Sequence, residues 1–160
     1  MTRKSINLAL LVLSTALSTA ALAESPVGIY ADKRIAVSVS QAEKNQVLYE
    51  MREFLHGLHN INHALARQDM KALAITARPM GSLRERMPGS LKERMPEEFT
   101  QMAIAMNEAF QTLARDAESN GASDKDKMRQ MHENLAEVMT YCSGCHDTYR
   151  FEVMPVKARK

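Results

Sequence analysis

Apolar side chains recur at alternating spacings of three and four through Met128, Met131, Leu135, Val138, Cys142, Cys145 and Tyr149. Residues three and four apart are neighbours on an α-helix, so this stripe commits the segment to one long helix with a single apolar face. Such a face must be covered, and three further helices are available to cover it. No segment alternates convincingly with a period of two. The expected fold is therefore all-α, an antiparallel four-helix bundle.

Local signals place the helix ends. Ser40 followed by Glu43 has capping-box spacing and opens a first helix that runs to about Arg67. Its apolar residues, Val47, Leu48, Met51, Phe54, Leu55, Leu58, Ile61, Asn62 and Leu65, put Met51 near the centre of the expected buried face, and only Gly57 interrupts the pattern. Asp69 caps a second helix through Met70, Leu73, Ala74 and Ala77, which Arg78-Pro79 should end or kink. Pro96 suits the first position of a third helix carrying Phe99, Met102, Met106, Phe110, Leu113 and Ala117, and Asn120-Gly121 closes it. Ser123 opens the fourth.

Between the second and third helices, GSLRERMP at 81–88 is followed at once by GSLKERMP at 89–96. One copy is shorter than any solenoid unit. A connection of this length either covers a site or records a local duplication without functional meaning, and a helical turn in each copy is compatible with both.

The N-terminus has the pattern of a cleaved export signal: Arg3 and Lys4, an apolar stretch over Leu8–Ala21, and the small-x-small sequence Ala21-Leu22-Ala23. Residues 1–23 are read as a signal peptide directing the chain to the periplasm, 24–39 as an extended arm, 40–151 as the bundle and 152–160 as a basic tail. Removal of Arg3 and Lys4 makes the chain formally neutral, which argues against nucleic acid, and no later stretch is apolar enough for stable membrane insertion. Residues 97–147 carry ten acids and four bases, so charge is unevenly spread and could orient a charged partner.

Both cysteines fall in YCSGCHDTYR at 141–150. A disulfide across so short a span would close almost no loop and stabilise little. On a helix Cys142, Cys145 and His146 stand at i, i+3 and i+4, one face of one turn. Cys-x-x-Cys-His at this spacing is a haem attachment motif: two sulfurs take the vinyl groups as thioethers and the imidazole reaches the iron. Structural zinc would need four ligands, and the next histidine, His132, lies roughly 20 Å back along the helix. A thioredoxin-like pair would need a strand before the helix, which is not expected here.

The CSGCHDTYR segment, MPEEF at the start of the third helix and the order of helices resemble the class II c-type cytochromes over about residues 41–151. That family comprises cytochrome c′ and its low-spin, methionine-ligated relatives. The resemblance implies one covalent haem c, His146 as proximal iron ligand, and Arg150 near the proximal side or the propionates, unless Arg150 only begins the basic tail. In the methionine-ligated branch the matching distal residue is Met51, with His59 on the flank of the same helix as its rival. His56, His59 and His63 together form a ridge that is either solvated or able to bind a further metal ion.

The function so implied is one-electron transfer with redox partner proteins, by a carrier rather than an enzyme. The alternative is a five-coordinate cytochrome c′-like protein binding NO or CO, in which Met51 is only a pocket wall. A homodimer is compatible with either.

Overall fold

Ser40 and Glu43 cap each other: the Ser40 hydroxyl accepts from the Glu43 amide at 3.2 Å, and the Glu43 carboxylate accepts from the Ser40 amide at 2.8 Å. This reciprocal cap starts α1, Gln41–Ala66. Asp69 accepts from the Ala72 amide at 2.9 Å to start α2, Met70–Met80, whose last turn contains Pro79. In the computed structural model, which describes residues 31–121 and 123–154, a turn of helix follows in each octapeptide copy: α3, Leu83–Arg86, and α4, Gly89–Lys92. Pro96 caps α5, Glu97–Glu118, one position earlier than expected, and Ser123 caps α6, Asp124–Thr148. Beyond α5 the chain turns through Gly121 at φ +105°, a left-handed conformation that glycine adopts without strain. The expected signal segment 1–23, the arm as far as residue 30 and residues 155–160 of the tail lie outside the described residues. The chain divides after Asp32, and these elements all belong to the second unit.

The described residues are mostly helical, with one departure from the all-α expectation. β1, Ile35–Val39, pairs in parallel with β2, Tyr149–Val153, in the register Ile35 to Tyr149 through Val39 to Val153. Part of the expected arm is thus an ordered strand, and the chain from Tyr149 leaves the helix rather than prolonging its stripe. Both strands do alternate, IAVSV and YRFEV, but five residues are too few to stand out, and the pairing joins segments more than a hundred residues apart. Two strands alone are marginal in water. Here Val37, Val39 and Tyr149 are buried against Met87, Leu91, Phe99 and Ala103.

A larger core lies among α1, α2, α5 and α6. Phe54, Ile61, Leu73, Phe110, Leu113, Met131 and Val138 meet there, and the rings of Phe54 and Phe110 stack at 5.9 Å. The long helices pack in chain order, α1 on α2, α2 on α5 and α5 on α6. Gly57 is a close approach: a Cβ at this position would run into the Met80 side chain of α2.

The packed face of α1 corrects the expected one. Its buried residues are Glu50, Phe54, Gly57, Ile61, Ala64 and Leu65, a stripe centred about 90° around the helix from Met51 at 100° per residue. Met51 is only half-buried, Leu48 and Leu55 are 47% and 66% exposed, and Asn62 is exposed, donating to the Leu58 carbonyl at 2.8 Å. The apolar pattern of α1 therefore covers two adjoining faces. One packs on the core, and the other borders a cavity.

Candidate functional site

That cavity has a volume of about 550 Å³, within the roughly 300–1,000 Å³ typical of small-molecule sites. Met51, Leu55 and Leu58 of α1 line it, as do Phe99 and Met106 of α5. The last turns of α6 contribute Cys142, Cys145 and His146, and β2 contributes Tyr149, Arg150 and Phe151. Met51, Cys142, Cys145, His146 and Arg150, all singled out from the sequence, line this one space. No segment of the chain could supply that set alone. α6 presents three of them because i, i+3 and i+4 share a face.

The two thiols are free and half-buried. Burial pushes both up from the ordinary thiol range, and for Cys145 the neighbouring Cys142 adds to it. They are therefore held as neutral thiols, which are poor attackers of disulfides, so an exchanging redox pair is not what this environment favours. His146 is exposed on its outer side, and its carbonyl accepts from Arg34 Nη1 at 3.2 Å. Arg150 Nε in turn donates to the Arg34 carbonyl at 3.3 Å, and its guanidinium pairs with Glu152. The parallel strand pair thus ties the end of α6 in place through Arg34 and Arg150.

Three lining residues with charge went unnoticed in the sequence. Arg34, Lys44 and Glu50 join Arg150 and His146 around an otherwise apolar wall. Arg34 lies in a stretch without helical period and acts across more than a hundred residues, so no local signal marks it. Glu50 sits beside Met51 and is 3% exposed, which singles it out among the acids. Met87, Pro88 and Leu91 of the octapeptides also line the cavity. The duplicated segment thus forms part of the cavity wall.

His59, the rival distal residue, is not part of the lining. Its ring lies parallel to that of His63, centroids 6.3 Å apart, on the exposed side of α1, and His56 lies 3.7 Å from Glu53. Among the described residues no three His, Cys, Asp or Glu side chains gather closely enough to hold a bare metal ion. The cavity instead offers two thiols, one imidazole, the thioether sulfurs of Met51, Met87 and Met106, and cations set in a mostly apolar wall. That donor set suits a flat apolar ligand with anionic substituents that brings most of its own metal donors.

Among the described residues no helix is long and apolar enough to cross a membrane. The chain matches no protein-family model, no curated protein and no solved structure. Its chemistry has to be read from the cavity itself.

Proposed function

We propose that this chain is an exported class II c-type cytochrome: an antiparallel four-helix bundle of α1, α2, α5 and α6 that carries one covalent haem c in the periplasm and passes single electrons between redox proteins. The observation that carries the reading is the convergence of Cys142, Cys145, His146 and Met51 on one apolar cavity. When bound, the haem supplies a one-electron iron couple, and the protein supplies burial and orientation.

With haem bound, Cys142 and Cys145 would hold it by thioether links to its vinyl groups, each formed by adding S–H across a double bond with no change in oxidation state. His146 would hold the iron through its imidazole, and its place at the end of α6 is supported by the Arg34 hydrogen bond to its carbonyl. Met51 would offer a thioether to the same iron, and a His/Met pair raises the potential of the one-electron couple. Arg150 and Arg34, which line the cavity, would pair with anionic propionates, to which guanidinium groups bind well. Leu58, Phe99 and Met106 give the same space apolar walls.

The test is expression with its N-terminal segment in a host that matures c-type cytochromes. The expected product is coloured, heavier than the processed polypeptide by one haem, and low-spin in both states. Its reduced form has a sharp split α-band, and its oxidised form a weak band at the red end. Cys142→Ser with Cys145→Ser should abolish the mass gain. A colourless wild-type product of bare polypeptide mass would sink the proposal. A loaded protein with broad high-spin spectra and rapid carbon monoxide uptake would replace the Met51 assignment with a five-coordinate gas-binding site.

A further inference from the structure

The tandem octapeptides do more than line the cavity. In the first copy, Arg86 Nε donates to Glu50 Oε2 at 2.9 Å, with Nη2 of the same guanidinium paired to that oxygen at 2.9 Å, while Gln46 Nε2 donates to the other oxygen at 2.9 Å. Arg86 Nη1 donates to the Ser82 hydroxyl at 2.6 Å, which braces the guanidinium from its own copy. In the second copy, Ser90 donates to Glu43 Oε1 at 3.0 Å and Arg94 Nη2 to the same oxygen at 2.6 Å. Each octapeptide therefore holds one glutamate of α1 with its sixth residue, Arg86 or Arg94; the serine braces the arginine in the first copy and donates to the glutamate in the second.

Glu43 and Glu50 are seven residues apart, two turns of helix, so both clasps grip one stripe of α1. The N-terminal half of α1 has less apolar packing than the rest, with Val47 and Met51 only partly buried against the two cores. Between Gln41 and Leu55 only Glu50 and Phe54 are buried, because the neighbouring face opens on the cavity instead of on packed side chains. An unpacked helix face does not define its own rotation, since apolar contact is non-directional. A charge-assisted hydrogen bond to a buried carboxylate, whose other oxygen is held by Gln46, does.

We infer that Arg86 and Glu50 are a positioning pair: the clasp sets the rotation of α1 that turns Met51, the next residue along, toward the cavity. This rests on the haem reading above, with Met51 as distal ligand. The second clasp, Arg94 on Glu43, anchors the start of the same helix, and Leu91 between the clasps seats the strap in the smaller core. A single octapeptide could grip only one point of α1. Two copies grip two points, which fixes the direction of the helix as well as its distance.

The experiment uses the matured protein and three variants, Arg86→Gln, Glu50→Gln and Arg86→Lys. Arg86→Gln and Glu50→Gln are expected to keep the haem mass, because the attachment turn of α6 is untouched. Both should lose the red-end band of the oxidised form and gain high-spin absorption. Arg86→Lys keeps the charge but loses the fork, and is expected to fall between them and the wild type. A merely structural pair would lower the melting temperature in all three and leave the band in place, and that result overturns the inference.

A wild-type protein that is loaded yet high-spin also overturns it, while haem attachment stands. If the wild type carries no haem, the haem reading fails separately, and the clasp is judged in the apoprotein by amide exchange. Exchange at least about tenfold faster over 47–55 in Arg86→Gln, with 61–66 unchanged, supports the clasp. Equal exchange overturns it.

Discussion

The two ends of α1 live in different surroundings. From Gly57 onward its buried residues meet α2, α5 and α6 in a packed apolar core, and the close approach of Gly57 to Met80 leaves no room between helices. From Gln41 to Leu55 the same helix borders a cavity, Phe54 being its one buried residue in the packed core, and its other neighbours are a polar strap and a pair of short strands. One end is held by area and the other by a few directed bonds. Apolar packing closes space, so a chain that must keep space open for a ligand has to hold its walls by other means. Here those means are Arg86 on Glu50, Arg94 on Glu43, and Arg34 on the carbonyl of His146.

The contrast predicts unequal responses to the same kind of change. Phe110→Ala removes a fully buried ring stacked on Phe54 at the packed end. It is expected to cost about 3–5 kcal/mol in denaturant unfolding of the apoprotein. Leu91→Ala removes a fully buried side chain too, but one that already borders the cavity on one side. It has fewer contacts to lose and is expected to cost about 2 kcal/mol, measured the same way. Equal costs would erase the distinction between the two ends.

The clasp on Glu43 should be visible in acid. Arg94 foremost, and then the Ser40 amide, hold this carboxyl down from its ordinary 4.5 to about 2. A depressed carboxylate stabilises the fold above its unfolded value, and this contribution is lost as pH falls from about 4.5 through about 2. Melting temperatures across that window should therefore fall less steeply in Glu43→Gln than in the wild type. Parallel curves would remove the clasp from the account of acid sensitivity.

The smallest effect is expected at the cavity mouth. Leu55 is 66% exposed despite its place in the apolar pattern. Leu55→Gln should change apoprotein stability by no more than about 0.5 kcal/mol in the same unfolding assay. A cost comparable to that of Leu91→Ala would mean that Leu55 is covered in solution, and the two faces of α1 would have to be redrawn.

Helix ends were legible because caps are local. Ser40, Asp69 and Ser123 each accept from an amide three residues on, so residue type and spacing suffice to find them. The turn that carries Cys142, Cys145 and His146 was legible for the same reason: the three are neighbours by helical geometry wherever the helix goes. The duplicated octapeptide was readable as a long connection, though not what its serines and arginines hold. The strand pair was missed because β1 and β2 acquire meaning only from each other.

The sequence by itself determined which stretches are helical, where they begin, and that two thiols and an imidazole share one turn near the end of the last long helix. Only the tertiary structure decided which apolar face of α1 is packed and which is left open, that Arg34 reaches the end of α6, and that the strap grips Glu43 and Glu50. The physical reason is the range of the forces that each depends on. Periodicity records that a face avoids water, but the neighbour that covers it, or the cavity that takes its place, is set by the path of the whole chain.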